Sequence, residues 1–320
     1  MTSAALQETR GAAGAAGVAH KAIDMASTPT VVLAQDYLVP TDLSSALAAL
    51  AAPGGATVLA GGTDLMPQTH AGRVRHAKTL LNIRRVEGLD QIVVDGTTLV
   101  IGTLVTIARL RTDPLVLSHA PLLSETADHF ASDQIRNMAS IGGNLCNASP
   151  AGDMSIPLLA LDAQVALASL GPDGSVTTRW LDLDGFFTGP GRTQRAPTEL
   201  LTAVRLPLAP KGQLARMYKS GVRPALDIST IALALVAQRE NSGAFGKVRL
   251  ALGAVGPTPL RARSAEQLLE GQVPDPALIE RVAQAAADDA QPIDDVRASA
   301  WYRRELVLNM TRRMLQDAKL

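Results

Sequence analysis

Residues 133–153 read DQIRNMASIGGNLCNASPAGD, and this stretch says more about the fold than any other part of the chain. It combines an apolar run, a Ser-Ile-Gly-Gly-Asn turn and a second small-residue cluster that ends in an acid. Residues 58–65, VLAGGTDL, have a related build, with an apolar strand followed by Gly-Gly and Thr-Asp. Because glycine lets backbone N–H groups approach a ligand closely, the two turns together favour two backbone cradles closing on one anion. The alternative interpretation of each Gly-Gly, taken singly, is an ordinary turn.

The side chains beside the two turns favour a diphosphate as the anion. Thr63, Ser140 and Asn144 can add hydrogen bonds. If residues 63–64 open a helix, its free amides and partial positive charge add to the attraction. No Lys or Arg lies inside either turn, so backbone dipoles would neutralise most of the charge. Asp153 suits a ribose or ribityl hydroxyl better than a phosphate, with an ordinary turn acid as the alternative.

Charge and cysteine content exclude several classes of function. The 320 residues include 30 Lys and Arg and 30 Asp and Glu, and this balance argues against nucleic acid or an anionic membrane surface as the main partner. Cys146 is the only cysteine, which excludes an internal disulfide and an all-cysteine iron–sulfur or zinc site. We expect Cys146 to pack as a small buried hydrophobe. The five histidines show no ligand spacing, so we expect no metal in this chain.

Membrane, targeting and common catalytic motifs are missing from the sequence. No apolar run approaches the ~20 residues that span a bilayer. Residues 1–30 lack the apolar core of a signal peptide, and we expect a poorly ordered tail, with an arm that docks on a partner as the alternative, and a cytoplasmic protein. Residues 189–193, GPGRT, lack the third glycine of a dinucleotide fingerprint, and neither a P-loop nor G-x-S-x-G occurs.

The hydrophobic pattern predicts an α+β chain in two parts. A helix capped by Thr41 leads into a strand over residues 56–60, and Asp95-Gly96 predicts a hairpin. The first part extends to about residue 209, with a linker over residues 207–212. The second part has three strand-like segments followed by helices, at residues 214–219, 230–239 and 247–255 for the strands and 264–270, 276–290 and 296–320 for the helices.

Five ordered motifs resemble the FAD-binding (medium) subunit of the molybdenum hydroxylases, the group of xanthine dehydrogenase, carbon monoxide dehydrogenase and aldehyde oxidoreductase. They are YLVP at residues 37–40, LAGGTDLMP at 59–67, QIRNMASIGGNLCNASPAGD at 134–153, FFTGPGRT at 186–193 and DVRASAWYRREL at 295–306. The resemblance implies an α+β fold. A two-lobed FAD-binding domain of the vanillyl-alcohol oxidase (PCMH) type would occupy residues 31–209. A small C-terminal domain, with a three-stranded antiparallel sheet and helices, would occupy residues 210–320.

The resemblance also implies where FAD lies, extended between the two lobes. The pyrophosphate would be held by both glycine turns, and Asp153 would reach a sugar or ribityl hydroxyl. Phe130 and Ile135 could wall the flavin ring, with core packing as the alternative. Lys219 falls on a loop that lies close to the flavin in the family and that it shares with Arg223 and Asp227, for which solvated loop charge is the alternative. The residues expected at the cofactor are Leu59, Ala60, Gly61, Gly62, Thr63, Asp64, Leu65, Phe130, Ile135, Ser140, Ile141, Gly142, Gly143, Asn144, Asp153 and Lys219.

The function implied by the resemblance is electron transfer, with no catalytic side chain in this chain. A large molybdopterin subunit would oxidise an N-heterocycle, aldehyde or similar substrate. Electrons would pass through the 2Fe–2S clusters of a small subunit to the FAD, and then to NAD⁺, a quinone or oxygen. We expect a heterotrimer or its dimer. Two alternatives are a stand-alone NAD(P)H-dependent flavin reductase on the same fold and a flavin-free scaffold subunit.

Overall fold

The computed structural model describes residues 34–223 and 226–318. Along the chain there is first a three-stranded sheet, then a five-stranded sheet, and then a four-stranded sheet with helices. The strands are β1 Asp36–Leu38, β2 Thr57–Leu59, β3 Thr79–Asn82, β4 Ile92–Asp95, β5 Thr98–Gly102, β6 Gln164–Leu170, β7 Val176–Asp182, β8 Phe187–Gly189, β9 Arg192–Thr193, β10 Leu200–Pro207, β11 Gln213–Ser220, β12 Ile231–Arg239, β13 Phe245–Gly253 and β14 Leu260–Arg261. The helices are α1 Leu43–Ala51, α2 Leu65–His70, α3 Ile107–Thr112, α4 Pro114–His119, α5 Pro121–Asp128, α6 Asp133–Met138, α7 Ile141–Asn147, α8 Ser155–Ala160, α9 Arg263–Leu269, α10 Pro276–Asp289 and α11 Ala300–Asp317. The tail predicted for residues 1–30 lies outside the described residues.

The first lobe is a small parallel sheet in the order β1-β3-β2, with α1 against it. Ala46, Leu47 and Leu50 bury one face of α1 in the core of this lobe, as their helical spacing predicts. The prediction of Thr41 as the helix cap is wrong. The Asp42 carboxylate accepts a hydrogen bond from Ser45 N at 2.8 Å, because the helix begins one residue later than the pattern suggests.

The second lobe is an antiparallel sheet in the order β4-β5-β10-β6-β7. The hairpin predicted around residues 95–96 is confirmed as β4 and β5. Helices α3 to α8 surround the core of this lobe. Strand β7 was not predicted, because it is an edge strand whose exposed side chains show no apolar alternation.

The C-terminal sheet has four antiparallel strands in the order β11-β12-β13-β14, packed against α9, α10 and α11. The three predicted strands are confirmed, and the expectation of three strands in total is wrong by one. Strand β14 has two residues, too few to carry a periodic pattern. The last helix begins at Ala300 and not at residue 296, because Ser299 caps it through a 3.2 Å hydrogen bond from Tyr302 N.

The core of the second lobe continues into the C-terminal sheet. Its buried cluster includes five side chains from that sheet, namely Met217, Ala232, Ala234, Val236 and Ala251. Helix α8 packs on β12 and β13. Ala254 N also donates to the Pro150 carbonyl at 2.8 Å. The C-terminal sheet is therefore joined to the second lobe by a shared core.

No helix in residues 34–223 and 226–318 is both long and apolar enough to cross a membrane.

Candidate cofactor site

The structure brings the two glycine turns together, although about eighty positions separate them. A Cβ added at Gly61 would lie 2.7 Å from the carbonyl carbon of Met138, and closer still to its oxygen. The same atom would lie 3.2 Å from the Cα of Ala139. The first turn therefore packs directly on the residues that precede the second turn, at the junction of the two lobes.

The first turn, residues 60–65, presents a row of free backbone amides. The N–H groups of Gly61, Gly62, Thr63, Asp64 and Leu65 donate no backbone hydrogen bond within the part of the chain that the structure describes. Gly62 adopts φ +70°, which bends the turn into a conformation that favours glycine. The Asp64 side chain does not cap α2 and accepts a hydrogen bond from Gln68 instead. This arrangement of consecutive amides at a helix start fits an anion.

The second turn, residues 140–144, uses its amides inside the protein. Ile141 N donates to Val105 O and Gly142 N donates to Thr103 O, both at 3.0 Å. Gly143 N donates to Ser140 Oγ at 3.1 Å, and Asn144 N donates to Ser140 O at 3.0 Å. Ser140 Oγ thus serves as the cap of α7. The prediction of a backbone cradle at each turn is therefore not met at residues 141–144, whose four amides all donate within the protein.

The two glycines of the second turn face different surroundings. A Cβ at Gly142 would lie 2.8 Å from the Cβ of Thr103, so the packing of the chain itself requires glycine there. Gly143 is exposed, and only Ser140 Oγ, at 3.0 Å, would lie near an added Cβ. At Gly61, as at Gly142, an added Cβ would collide with the protein itself. Gly143 is the glycine whose open face is available to a ligand.

Two buried polar atoms beside the second turn lack partners among the described residues. They are Asn144 Oδ1 and Ser155 Oγ. Both face Gly152, where an added Cβ would lie 3.6 Å from Asn144 Oδ1 and 3.2 Å from Ser155 Oγ. A buried polar group without a hydrogen bond is costly, so these atoms indicate a place where a polar ligand is accommodated. The Ile141 side chain, in contrast, is fully buried in the core.

The turn that carries Phe130 is held in place by a buried arginine that the sequence reasoning missed. The Arg136 guanidinium donates to Phe130 O at 2.5 Å and to Ala131 O at 3.0 Å, and it pairs with Asp133 at 2.7 Å. Phe130 and Ile135 both pack on the core of the second lobe. The arginine holds the backbone of the Phe130 turn, although nothing in the spacing of the sequence marks it for this role.

Asp153 and Lys219 form an ion pair of 2.7 Å, with side chains 11% and 14% exposed. Lys219 Nζ also donates to His129 O at 3.1 Å, and Ser229 Oγ donates to the other carboxylate oxygen of Asp153 at 2.9 Å. Burial raises the pKa of the Asp153 carboxyl, and the Lys219 ammonium opposes this rise. Two residues predicted for separate contacts with FAD therefore contact each other.

The chain matches two family models that together cover nearly all of the described residues. The first, FAD binding domain in molybdopterin dehydrogenase, matches residues 30–209. The second, CO dehydrogenase flavoprotein C-terminal domain, matches residues 216–318. The chain is an FAD-binding subunit of the molybdenum hydroxylase family. The resemblance drawn from the five motifs is confirmed. The chain is therefore a subunit of an oxidoreductase.

Relatives and a solved structure agree with this assignment. The chain is 34% identical to the xanthine dehydrogenase FAD-binding subunit of Escherichia coli O157:H7, over 86% of this chain and 93% of the relative. It is 32% identical to the carbon monoxide dehydrogenase medium chain of Hydrogenophaga pseudoflava, over 88% and 96%. A structure of carbon monoxide dehydrogenase from that organism, lacking the Mo-pyranopterin moiety of the molybdenum cofactor, aligns with a TM-score of 0.83 at 31% identity, over 88% and 96%.

The geometry of this FAD-binding subunit fits the cofactor of its family. The free amides of the first turn suit a pyrophosphate, and the Asn144 carbonyl and Ser155 hydroxyl can pair with polar groups of a ligand. A cleft of about 480 Å³ between the lobes is lined by Gly61, Ser140, Arg84 and Arg85, among others. Both arginines are exposed, and Glu87 and Asp90 line the same cleft, so two acids balance the two positive charges.

Cys146 is packed against the core, and the three charges predicted on one loop differ in their exposure. Burial raises the pKa of the Cys146 thiol, which packs against the core and is therefore unreactive. Of the three residues for which solvated loop charge was the alternative, only Arg223 is exposed. The Asp227 side chain is 11% exposed and accepts a hydrogen bond from Arg223 N at 3.2 Å, and Lys219 lies on β11, not on a loop, in the buried ion pair with Asp153. In the described part of the chain, no group of three or more His, Cys, Asp or Glu side chains could hold a metal ion.

Proposed function

We propose that this subunit carries electrons between an oxidising centre in one partner and an external acceptor. A large molybdopterin subunit would oxidise an N-heterocycle, an aldehyde or a similar substrate. A small subunit with 2Fe–2S clusters would pass the electrons on, and the acceptor would be NAD⁺, a quinone or oxygen. The observation that carries the proposal is the row of five free amides at residues 61–65, in a turn whose Gly61 packs on Met138 and Ala139 just before the second turn.

Different residues of the site would bind different parts of FAD. The amides of residues 60–65 would hold the pyrophosphate, and the open face of Gly143 would let it approach α7. Asn144 would offer its unpaired carbonyl to a polar group. Phe130 and Ile135 would flank the flavin ring, close to the ion pair between Asp153 and Lys219.

FAD supplies the redox chemistry when it is bound. The chain binds it, orients it between the lobes and sets the charges around it. The proposed electron transfer requires a bound cofactor within reach of its partners and no proton transfer by a side chain of this subunit.

We further propose that the subunit assembles with a small and a large partner as a heterotrimer or its dimer in the cytoplasm. The support is that a relative with 96% of its length covered is named a medium chain. We also propose that the chain divides near residue 209 into the FAD-binding and C-terminal domains, with the end of the first family match at that residue as support.

The test of cofactor binding uses the purified full-length chain and the Gly143→Val variant. We expect the wild type to be yellow, with a flavin absorbance, and the variant to be colourless with an unchanged circular dichroism spectrum. Gly143→Ala is the matched control, because a single methyl group fills less of the open face. A wild-type chain that takes up no added FAD would overturn the proposal.

The test of electron transfer uses the complex formed with its 2Fe–2S and molybdopterin partners. Adding the organic substrate without oxygen should bleach the flavin absorbance only when the small subunit is present. Bleaching by NADH alone is also expected if NAD⁺ is the acceptor, so the flavin reductase alternative would be favoured only if NADH bleaches the flavin and the organic substrate never does with both partners present. Titration with NAD⁺ and quinones would then identify the acceptor.

A further inference from the structure

One buried guanidinium group gathers three carbonyl groups from the end of α5 and the turn that carries Phe130. Arg136 lies on α6, and its side chain is 11% exposed. Its Nη1 atom donates to the carbonyl oxygens of Phe130 at 2.5 Å, Ala131 at 3.0 Å and Asp128 at 3.3 Å. A single side chain therefore ties the end of α5 and the following turn to α6.

The backbone that these hydrogen bonds hold is strained. Ala131 adopts φ +39°, a left-handed conformation that residues with a Cβ rarely adopt. Its carbonyl and that of Phe130 are the two closest to the guanidinium. Hydrogen bonds from a charged donor are roughly twice as strong as neutral ones, so Arg136 is suited to stabilise this conformation. Because Phe130 directly precedes Ala131, the direction of its ring depends on the same turn.

Helix α6 also joins two parts of the candidate cofactor site. It begins three residues after Phe130 and ends two residues before Ser140, where the second turn starts. The carbonyl of Met138, its last residue, is the group on which Gly61 of the first turn packs. Arg136 thus ties the aromatic residue to the helix that leads into the second turn and supports the first.

A second arginine shares an acidic partner with Arg136 and differs from it in one contact. Arg111 lies 3.3 Å from the carboxylate of Asp133, which Arg136 contacts at 2.7 Å. Arg111 also pairs with the Asp128 carboxylate at 3.1 Å. Only Arg136, however, donates to carbonyls of the Phe130 turn. The two side chains therefore separate the charge network from the support of the turn.

We propose that Arg136 is a positioning residue, which holds the Phe130 ring against the flavin through the carbonyls of the turn and does not itself contact FAD. The inference rests on the placement of Phe130 given under the proposed function. It assigns to Arg136 the geometry of the aromatic wall, and to its partner Asp133 only the balance of its charge.

The experiment measures two properties of the full-length chain. They are the dissociation constant of FAD, from fluorescence titration, and the absorption spectrum of the bound flavin at saturating FAD. The variants are Arg136→Met, Phe130→Ala, the two combined, and Arg136→Lys as the conservative change. Arg111→Met is the matched control, because it removes a charge beside Asp133 and no hydrogen bond to the turn. Circular dichroism without FAD checks the fold of each variant.

We expect Arg136→Met and Phe130→Ala each to weaken FAD binding by about tenfold, through loss of the same aromatic contact. The double variant should match Phe130→Ala within about twofold, because Arg136 acts through the ring that is already missing. The flavin absorption bands should shift in the same direction in all three. Arg136→Lys should restore part of the affinity, since an ammonium keeps the charge but lacks the planar fork of donors. Arg111→Met should change neither property.

Losses that multiply to about a hundredfold in the double variant would mean that Arg136 serves FAD by another route, and would overturn the proposal. Wild-type affinity and spectrum in Arg136→Met or in Phe130→Ala would also overturn it, as would an equal loss in Arg111→Met. If Arg136→Met does not fold, Arg136→Lys with and without Phe130→Ala supplies the same comparison. A wild-type chain that binds no FAD would instead count against the proposed function.

Discussion

The two glycine turns look alike in the sequence and differ in how they use their backbone. In the first, residues 61–65 leave their amides free, while in the second, residues 141–144 donate theirs to Val105, Thr103 and Ser140. The first turn thus has amides that an anion could meet, whereas the amides of the second turn hold its own backbone to these three residues. A Gly-Gly motif therefore does not by itself say whether glycine serves a ligand or the packing of the chain.

The largest effect is expected where glycine serves the packing. Gly61→Ala and Gly142→Ala should each lower the free energy of unfolding by about 3 kcal/mol, the upper part of the usual range for overpacking. The added methyl groups collide with the backbone of Met138 and with Thr103. Urea denaturation of the full chain without FAD measures this. If both variants were as stable as the wild type, the packing around Gly61 and Gly142 would have to be looser than these contacts indicate.

Gly143→Val should affect the cofactor and spare the fold, which separates the two uses of glycine within one turn. Because Gly143 is exposed and lies inside α7, the free energy of unfolding should change by less than about 1 kcal/mol. FAD affinity should fall by more than about tenfold. Fluorescence titration checks the affinity and thermal melting without FAD checks the fold. If the melting temperature falls as far as in Gly142→Ala, the distinction between these neighbours is wrong.

Ser140→Ala should produce a smaller effect, and mainly on stability. It removes the cap of α7, which costs about 1 kcal/mol. It also releases Gly143 N–H from its internal acceptor, so FAD affinity should not fall. Thr63→Ala in the first turn is the matched control, since no cap is lost there. Denaturation and FAD titration of both variants check this, and a loss of affinity confined to Ser140→Ala would mean that its hydroxyl contacts the cofactor.

Acidification should have the smallest effect, because it leaves the amides of both turns unchanged. The hydrogen bond from Arg303 lowers the pKa of Asp295 to about 2 from its usual 3.8. Its contribution to stability is therefore fully present above pH 3.8 and is lost as the pH falls to about 2. After allowance for screening, the loss should be at most about 1 kcal/mol. Comparing the acid denaturation of wild type and Asp295→Asn measures it, and identical curves would show that the pair contributes nothing.

The sequence predicted the parts of this molecule that depend on neighbouring residues. The hairpin of β4 and β5 follows from Asp95-Gly96, and the long strands of the C-terminal sheet follow from their apolar runs. The two turns were also located, because their glycines, polar side chains and order match those of the family. Neighbouring residues in the sequence are sufficient to predict each of these features.

Features set by distant partners could not be predicted in the same way. Whether an amide of the second turn is free depends on Thr103 and Val105, nearly forty positions upstream. The pairing of Asp153 with Lys219 joins residues 66 positions apart, and Arg136 gains its role only when the chain folds back over it. Strand β14 is too short to leave a pattern at all.

The five C-terminal side chains in the core of the second lobe have a consequence for protein engineering. Three of the five are alanines, Ala232, Ala234 and Ala251, so the two surfaces meet closely. A chimera that joins this FAD-binding region to the C-terminal domain of another family member would keep only one of the two contacting surfaces. A larger residue at any of these three alanine positions is expected to overpack the shared core. The two domains are therefore expected to be inherited together, and to be exchanged between proteins only as one unit.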